Sequence, residues 1–370
     1  MNAGRPSYRL GPPCRKWAIV ESLCPGMRAH LRTIVVVGLA IGLLALFLRG
    51  VDLGTVWLEL KRGRLDLLLV AIATTMLTYA IRALRWQYLL AGLGRTRFPV
   101  AFRATVIGFA ASFLLPARAG EFLRPYVLAR NEGLSATAVF ATVVLERVFD
   151  MATVLVLFAG FLLTAGPDFA RSDPQTFRAV QVGGLTAAAG TFAILGVFYF
   201  LAGHPLAIGR WSAKIERRLP ERLAKLVDGL AQTFAVGLGA VRRPQQLLLV
   251  FAWSFPLWVS IATGIWLVSK AFWLDLPFVG SFLVMTLLVV GVAAPTPGAI
   301  GGFHYFYKIA VTSFYHASQE KAVSAALVLH AVSFVPVTLL GIVFMVQEGL
   351  TLGRMRRLAS EHGAAEEETR

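Results

Sequence analysis

The residues with the most evident chemistry lie inside an apolar stretch of the chain. Within VVLERVFDMATVLVLF, the charged residues Glu146, Arg147 and Asp150 stand among hydrophobic ones. Glu146 and Asp150 are four residues apart, so a helix places them on one face. Ionisable groups in a membrane span are costly, and by default they face the bundle interior and pair. Two interpretations stay open: a cluster that recognises an anionic headgroup or relays protons, and a structural ion pair that locks two helices.

We predict that Glu146 or Asp150 contacts Arg118, Arg124 or Arg147, whereas the arginines of a second apolar segment are candidates for contact with lipid phosphate. FLLPARAGEFLRPY carries Arg118, Glu121 and Arg124, and YAIRALRWQYLL carries Arg82 and Arg85. A guanidinium group matches phosphate oxygens bidentately. We therefore predict a wet cavity lined by the four arginines, which would favour an anionic headgroup. For the arginines of YAIRALRWQYLL, ordinary anchoring at the membrane interface is the alternative.

Prolines and glycines interrupt two of the apolar stretches. The break residues are Pro116, Gly120, Pro295, Pro297, Gly298, Gly301 and Gly302. Irregular backbone at membrane depth is tolerated only where it is buried in protein or lines a water-filled cavity. We therefore expect the two breaks to approach each other and form a polar midpoint. For residues 116–132, the alternative is a cytoplasmic loop whose arginines only orient the chain.

Composition defines the class of protein. The 370 residues are 57% hydrophobic and 15% charged, with a mean hydropathy of +0.68, whereas soluble domains carry about 25% charged residues. About 20 apolar residues cross a bilayer as a helix. The sequence predicts an all-α polytopic membrane protein with six full spans and two broken, re-entrant elements. The spans are 33–49, 66–85, 134–165, 182–202, 246–268 and 322–346, and the broken elements begin with 101–115 and 276–294.

Charge distribution predicts the orientation. The net charge of +16 is explained by Lys and Arg in cytoplasmic loops and against anionic lipid, rather than by nucleic-acid binding. The basic segment 203–245 places both termini in the cytoplasm, at the plasma membrane. The two broken elements then enter and leave on opposite faces, which indicates an inverted repeat. Aligning PARAGEF with PGAIGGF pairs Gly120 with Gly301, and further along it pairs Arg147 with His330.

The remaining segments complete the predicted domain organisation. Residues 1–32 form a basic, disordered extension, and 33–348 form the membrane domain, within which 203–245 is an amphipathic cytoplasmic segment. Residues 349–370 form a cytoplasmic tail. Both cysteines precede the first span and the six histidines are scattered, so we expect neither a metal site nor a cofactor. The sequence carries no phosphate-binding loop, HExxH motif or nucleophile elbow, so we expect no enzymatic activity.

Four motifs carry a resemblance to a known family. In order, RALRWQYLL, LLPARAGEFLRPYVLARNEGLS, VVLERVFD and PTPGAIGGF resemble those of the lysylphosphatidylglycerol synthase transmembrane-domain family, which are flippase-like integral membrane proteins. The resemblance covers residues 33–348 and implies lipid translocation between leaflets. In bifunctional relatives a synthase domain follows the membrane part, and since this sequence shows none, synthase activity is not expected. Family members often have Asn at 112–113 and Gly where Ala299 stands.

The sequence therefore leads to competing hypotheses of function. The first is a translocator that moves a phosphate-bearing or polyprenyl-linked lipid between leaflets. The alternatives are a membrane glycosyltransferase and an accessory subunit that acts on a lipid-linked substrate. Expected partners are membrane lipids and a lipid-modifying enzyme. The candidate substrate-binding residues are Arg82, Arg85, Arg118, Glu121, Arg124, Glu146, Arg147, Asp150 and His330.

Overall fold

The computed structural model describes residues 47–115, 118–165, 174–203, 244–293 and 296–350. Within these ranges the chain is helical and contains no strand. The helices are α1 (Leu53–Arg62), α2 (Leu65–Leu90), α3 (Phe98–Leu114), α4 (Gly120–Glu132), α5 (Ala136–Thr164), α6 (Pro174–Gly203), α7 (Pro244–Ala271), α8 (Gly280–Ala293), α9 (Gly302–Tyr315) and α10 (Gln319–Gln347).

The predicted membrane spans that fall within the described ranges coincide with long helices. Among the described residues, α2, α5, α7 and α10 are long and apolar enough to cross a membrane, and α3 and α8 are shorter apolar helices. The fold is therefore that of a polytopic helical membrane protein, as the composition indicates. Most of the predicted span 33–49 and most of the amphipathic segment 203–245 lie outside the described residues. So do the predicted extension 1–32 and nearly all of the tail 349–370.

Two four-helix units follow the same order. In the first unit, α2 is followed by the short pair α3 and α4 and then by the long helix α5; the second unit repeats this order with α7, α8, α9 and α10. The last helix of each unit has 29 residues and begins the same way. Gly133 or His316 adopts a left-handed conformation, and then Ser135 or Ser318 caps the helix by accepting a hydrogen bond from a backbone N–H. Serine at this position satisfies an N–H group that has no partner within the helix.

The packing between the units is reciprocal. Helices α2 and α7 pack against each other, α3 packs against α10, and α8 packs against α5. In the same way α2 contacts α10 and α7 contacts α5. The flanking helices are paired in the same way: α6 packs on α5, and α1 packs on α10. A two-fold relation between the units requires such paired contacts, so the predicted internal repeat has direct support in the packing.

Within each unit the two short helices cross at a pair of glycines. A Cβ atom on Gly120 would overlap the carbonyl oxygen of Gly108, and one on Gly302 would overlap the carbonyl oxygen of Gly291. Glycine allows such a close backbone approach because it has no side chain. The structure corrects the sequence alignment at this point. Gly120 corresponds to Gly302 rather than to Gly301, since each of these two glycines is the first residue of its helix.

The turns that precede α4 and α9 share an unusual backbone conformation. Arg118 has φ 53° and Ala299 has φ 54°, both in the left-handed region that favours glycine. Ala299 follows Gly298, which has φ 62°. This conformation favours glycine at position 299, where the resemblance implies one. It also shows that both breaks are held in strained turns, a feature that recurs at functional sites.

Candidate functional site: a buried charge cluster beside a cavity

A cluster of buried charges joins α2, α4 and α5. Arg85 Nη1 lies 2.6 Å from Asp150 Oδ1, and Arg85 Nη2 lies 3.0 Å from Glu146 Oε1. Arg82 Nη1 bridges both carboxylates at 3.3 and 3.4 Å. From α4, Arg124 Nη1 approaches Glu146 Oε2 at 3.0 Å. Glu146 therefore ties together three arginines that come from two other helices.

Helix geometry explains why these residues meet. Arg82 and Arg85 are three residues apart on α2, and Glu146 and Asp150 are four apart on α5, so each pair shares a face. The side chains of these four residues are at most 6% exposed. Removing one member of a buried ion pair leaves an uncompensated charge and is strongly destabilising. The cluster therefore locks α2 to α5, as one of the two sequence interpretations predicts.

Helix α7 and the aromatic residues complete the cluster. Ser254 Oγ accepts a hydrogen bond from Arg85 (2.8 Å), and Trp258 Nε1 donates to Asp150 Oδ1 (3.0 Å). The guanidinium of Arg124 lies over the ring of Trp86 at 3.9 Å, and that of Arg82 lies over Phe109 at 4.8 Å. These contacts partly replace the hydration that the charges lose on burial.

Positive charge exceeds negative charge in this region. Arg147 joins the cluster through Asp150 at 3.5 Å, with 38% of its side chain exposed. Among the described residues, the four guanidinium groups of residues 82, 85, 124 and 147 pair with two carboxylates, those of Glu146 and Asp150. The excess of two positive charges makes the cluster and its edge attractive to an anion.

A cavity of about 90 Å³ adjoins this edge. A cavity of roughly 10–15 Å³ already holds one water molecule, so several waters or a phosphate group fit. Both breaks contribute to its wall, the first through Arg118 and Glu121 and the second through Thr296 and Ala299. The other lining residues are Gly108, Phe109, Ser112, Phe113, Arg124, Val143, Arg147, Val292 and Phe334. The prediction that the two breaks approach each other is confirmed.

Several polar groups of the cavity wall are not satisfied within the protein. Arg124 Nε and Nη2, Arg147 Nε and Thr296 Oγ1 are buried and have no hydrogen-bond partner among the described residues. Buried polar groups in proteins are nearly always hydrogen-bonded, so each exception needs an explanation. All three residues line the same cavity. Their unused donors are suited to the oxygens of an anionic ligand.

The second break is held by two histidines. His330 Nε2 donates to the carbonyl oxygen of Gly298 (2.8 Å), and the N–H of Gly301 donates to His304 Nδ1 (3.4 Å). The two imidazole rings lie 4.5 Å apart between their centroids, and Phe334 packs on His330. His330 therefore supports the turn that forms the cavity wall, although it does not line the cavity.

The structure divides the predicted arginine-lined cavity into two environments. Arg118 and Arg124 line the cavity, but Arg82 and Arg85 lie in the ion-pair cluster and do not. The alternative of interfacial anchoring for Arg82 and Arg85 is wrong, because they are 5% and 0% exposed. The alternative of a cytoplasmic loop fails for Arg124, which is 2% exposed.

Arg118 and Glu121 lie at the accessible side of the cavity. They form an ion pair at 3.4 Å, and their side chains are 43% and 35% exposed. The predicted contact of Glu146 or Asp150 with Arg118, Arg124 or Arg147 is confirmed twice, through Arg124 and through Arg147.

Sequence reasoning missed three polar contributors. Ser254 and Trp258 lie one turn apart on α7, so they share a helix face. Two hydrogen-bonding side chains on one face of an apolar helix were the signal that could have identified them. Thr296 lies between the two prolines of PTPGAIGGF, but it was not among the predicted site residues. Among the described ranges, no group of three or more His, Cys, Asp or Glu residues could hold a metal ion.

The helical order, the paired breaks and the buried cluster define a polytopic membrane protein built from two related units around an internal cavity. The chain belongs to the family described as the lysylphosphatidylglycerol synthase TM region, whose model matches residues 33–341. It is also similar to the protein named Glycosyltransferase AglD of Haloferax volcanii, with 26% identity over 334 residues. That alignment covers 82% of this chain and 53% of the relative, so the chain spans about half the length of the relative.

Proposed function

We propose that the protein moves a phosphate-bearing lipid, or a polyprenyl-linked lipid, between the leaflets of its membrane, as a translocator rather than an enzyme. The observation that carries the proposal is the set of unused hydrogen-bond donors of Arg124, Arg147 and Thr296 in one cavity. Phosphate oxygens accept such hydrogen bonds strongly when the donor is a guanidinium group. Membership of the lysylphosphatidylglycerol synthase TM region family supports a function that involves lipids.

The lining of the cavity suits an amphipathic ligand. Arg118, Arg124 and Arg147 provide positive charge, while Phe109, Phe113 and Phe334 provide apolar surface. Glu121 offsets part of the charge, which leaves room for a headgroup that also carries a cationic group. The cavity holds a phosphate group but not a whole lipid, so the acyl or polyprenyl chains stay outside it.

Placement of the cavity between two repeated units supports transport. In transporters built from repeats, the substrate binds where broken helices from the two repeats meet, and access alternates by movement of one unit against the other. Here the two breaks share one cavity. Phe113 of the first unit packs on Phe334 of the second at 3.9 Å between ring centroids, so a shift of either unit would change the opening.

The test uses purified protein in liposomes that carry a fluorescent phospholipid. The wild type should expose inner-leaflet probe to a membrane-impermeant quencher, and Arg118→Glu should abolish this transfer because it places a carboxylate at the cavity mouth. Arg118 is suited to this test because its side chain is 43% exposed, so the substitution leaves the folded core intact. Transfer by Arg118→Glu at the wild-type rate would contradict the proposal.

A matched control separates the cavity from general surface charge. Arg130 lies in the last turn of α4 and is exposed, and it does not line the cavity. Arg130→Glu makes the same change of charge on the same helix, so transfer should continue. Equal losses in both variants would mean that charge at the membrane surface, rather than the cavity, controls transfer.

The name of the AglD relative favours testing a second function. A membrane glycosyltransferase that uses a lipid-linked sugar would turn over its donor in the same liposomes, and a non-transporting accessory subunit would need an added lipid-modifying enzyme. Donor turnover without lipid transfer would replace the translocator proposal with the enzyme. Activity that appears only with such a partner would indicate the accessory role.

A further inference from the structure

A second cavity, of about 420 Å³, lies where the N-terminus of α2 meets the C-terminus of α7. Arg64, Trp266, Lys270, Trp273 and Asp275 line it. Arg85, in the ion-pair cluster, lies near the other end of α2, and at 1.5 Å per residue about 30 Å of helix separates it from Arg64. That length matches the hydrocarbon thickness of a bilayer. The second cavity and the charge cluster therefore lie toward opposite ends of α2.

The frame of the second cavity is fixed by backbone hydrogen bonds. The N–H of Arg64 donates to the carbonyl oxygen of Ala271 (3.1 Å), and the N–H of Leu274 donates to that of Ser269 (3.0 Å). Phe272 is buried against Gly63. These contacts connect the two helix ends and hold the intervening turn in place, so the cavity is preformed.

Trp273 closes the C-terminus of α7, where the N–H groups of Trp273 and Leu274 donate to the carbonyl oxygens of Lys270 and Ser269. It has φ 59°, in the left-handed region that a bulky residue rarely adopts. Its side chain is nevertheless exposed, with a relative accessibility of 60%. The guanidinium of Arg64 lies over the indole at 5.9 Å. The helix cap therefore fixes the backbone of Trp273, and its exposed indole lines the cavity together with Arg64.

The charges around the cavity alternate in sign. Arg64 pairs with Asp66 at 2.7 Å, and Lys270 pairs with Asp275 at 3.6 Å. Asp66 and Asp275 are exposed, and exposed ion pairs contribute little, so a ligand displaces them readily. A phosphate suits the two cations, and an ammonium group suits the carboxylates and the faces of the tryptophans.

We propose that this cavity binds a zwitterionic phospholipid headgroup, with its phosphate at Arg64 and Lys270 and its ammonium between Asp275 and the indoles of Trp266 and Trp273. A lipid of the leaflet that surrounds this end of α2 would present such a headgroup there. The inference concerns binding at the surface and does not rest on the proposed translocation.

The test measures lipid binding to the full chain in detergent by native mass spectrometry. Phosphatidylethanolamine is added to delipidated protein, and the bound fraction is compared among variants. Trp273→Ala should bind about two- to fivefold less tightly, the change that corresponds to a cation–π contact at an exposed site. Arg64→Gln should bind about tenfold less tightly, because it removes a charged hydrogen bond.

Trp57 provides the matched control. Its relative accessibility of 59% equals that of Trp273 within 1%, and Lys61 lies over its ring at 5.1 Å, but it does not line the cavity. Trp57→Ala should bind the lipid like the wild type. An equal loss in Trp57→Ala and Trp273→Ala would show general interfacial anchoring and would overturn the proposal.

Charge selectivity gives an independent readout. Asp275→Asn should weaken binding of phosphatidylethanolamine but leave that of phosphatidylglycerol, which lacks the ammonium group, unchanged. Inorganic phosphate should compete only weakly, because it engages half of the site. Equal affinity for the two lipids in the wild type, or full displacement by inorganic phosphate, would show that the cavity binds anions without recognising the ammonium group, and would overturn the proposal. Unchanged binding in Trp273→Ala, Arg64→Gln and Asp275→Asn would show that the lipid does not bind in this cavity.

Discussion

The two units of the protein share an architecture but differ in chemistry. In the first unit, α5 carries Glu146, Arg147 and Asp150, which form the buried cluster with α2 and α4. In the second unit, α10 carries His330 at the place of Arg147, since each lies the same distance after the serine that caps its helix. His330 makes no ion pair with the described residues and donates to the backbone of its own break.

This difference shows that the two units share their helix packing, whereas their charged side chains differ. Reciprocal packing and the glycine crossings occur in both units, because they depend on backbone geometry. Among the described residues, buried ion pairs occur in the first unit only, and the charged residues that line the cavity, Arg118, Glu121, Arg124 and Arg147, all come from that unit. An asymmetric cavity suits an asymmetric ligand such as a lipid with a charged head.

Removal of the central carboxylate, that of Glu146, should have the largest effect, because it tests the buried cluster that distinguishes the first unit from the second. Glu146→Gln should lower the free energy of unfolding by about 3–5 kcal/mol, because it leaves buried arginines without their shared partner. The matched control is Glu59→Gln, which removes an ion pair with Arg62, whose side chain is 71% exposed. That change should cost at most about 1 kcal/mol. Unfolding of both variants in detergent, followed by circular dichroism, measures the difference, and similar small losses would refute the buried cluster.

Substitution at the crossings tests what the units have in common. Gly120→Ala and Gly302→Ala should each lower the free energy of unfolding by about 1–3 kcal/mol, because the added methyl group forces two backbones apart. Gly160→Ala on α5 is the control, since nothing lies within 4 Å of the added atom. Alanine is the better helix former, so that variant should be neutral or slightly stabilised. If only one crossing were sensitive in the same denaturation assay, the units would not share this contact.

The helix caps give the smallest expected effect and the finest comparison. Ser135→Ala and Ser318→Ala should each cost about 0.5–1 kcal/mol, because each leaves a backbone N–H at the helix start without its acceptor. Ser135→Asp and Ser318→Asp retain an acceptor and should stay close to wild-type stability. Chemical denaturation resolves such differences, and unequal losses for the two alanine variants would indicate that the two turns are not equivalent.

The sequence predicts the fold more completely than the site. Long apolar runs require spanning helices, and the Pro- and Gly-rich breaks after 115 and before 302 mark the ends of the short ones. The pairing of Arg124 with Glu146 follows from the cost of isolated charge in lipid. In contrast, the sequence places Arg82 and Arg85 in the cavity, because residue types do not reveal which face of α2 meets α5. Thr296 was missed for the same reason, since its role depends on how the second break folds back.

The short helices around the cavity have a consequence for how the protein is made. Helices α3, α4, α8 and α9 have 17, 13, 14 and 14 residues, at or below the lower limit of about 17 residues for a helix that crosses a bilayer alone. We expect each pair to enter the membrane as a hairpin joined at its glycine crossing, after the long helices on either side are in place. The walls of the cavity would then be the last part of the protein to assemble, and biogenesis of the site would depend on the surrounding bundle.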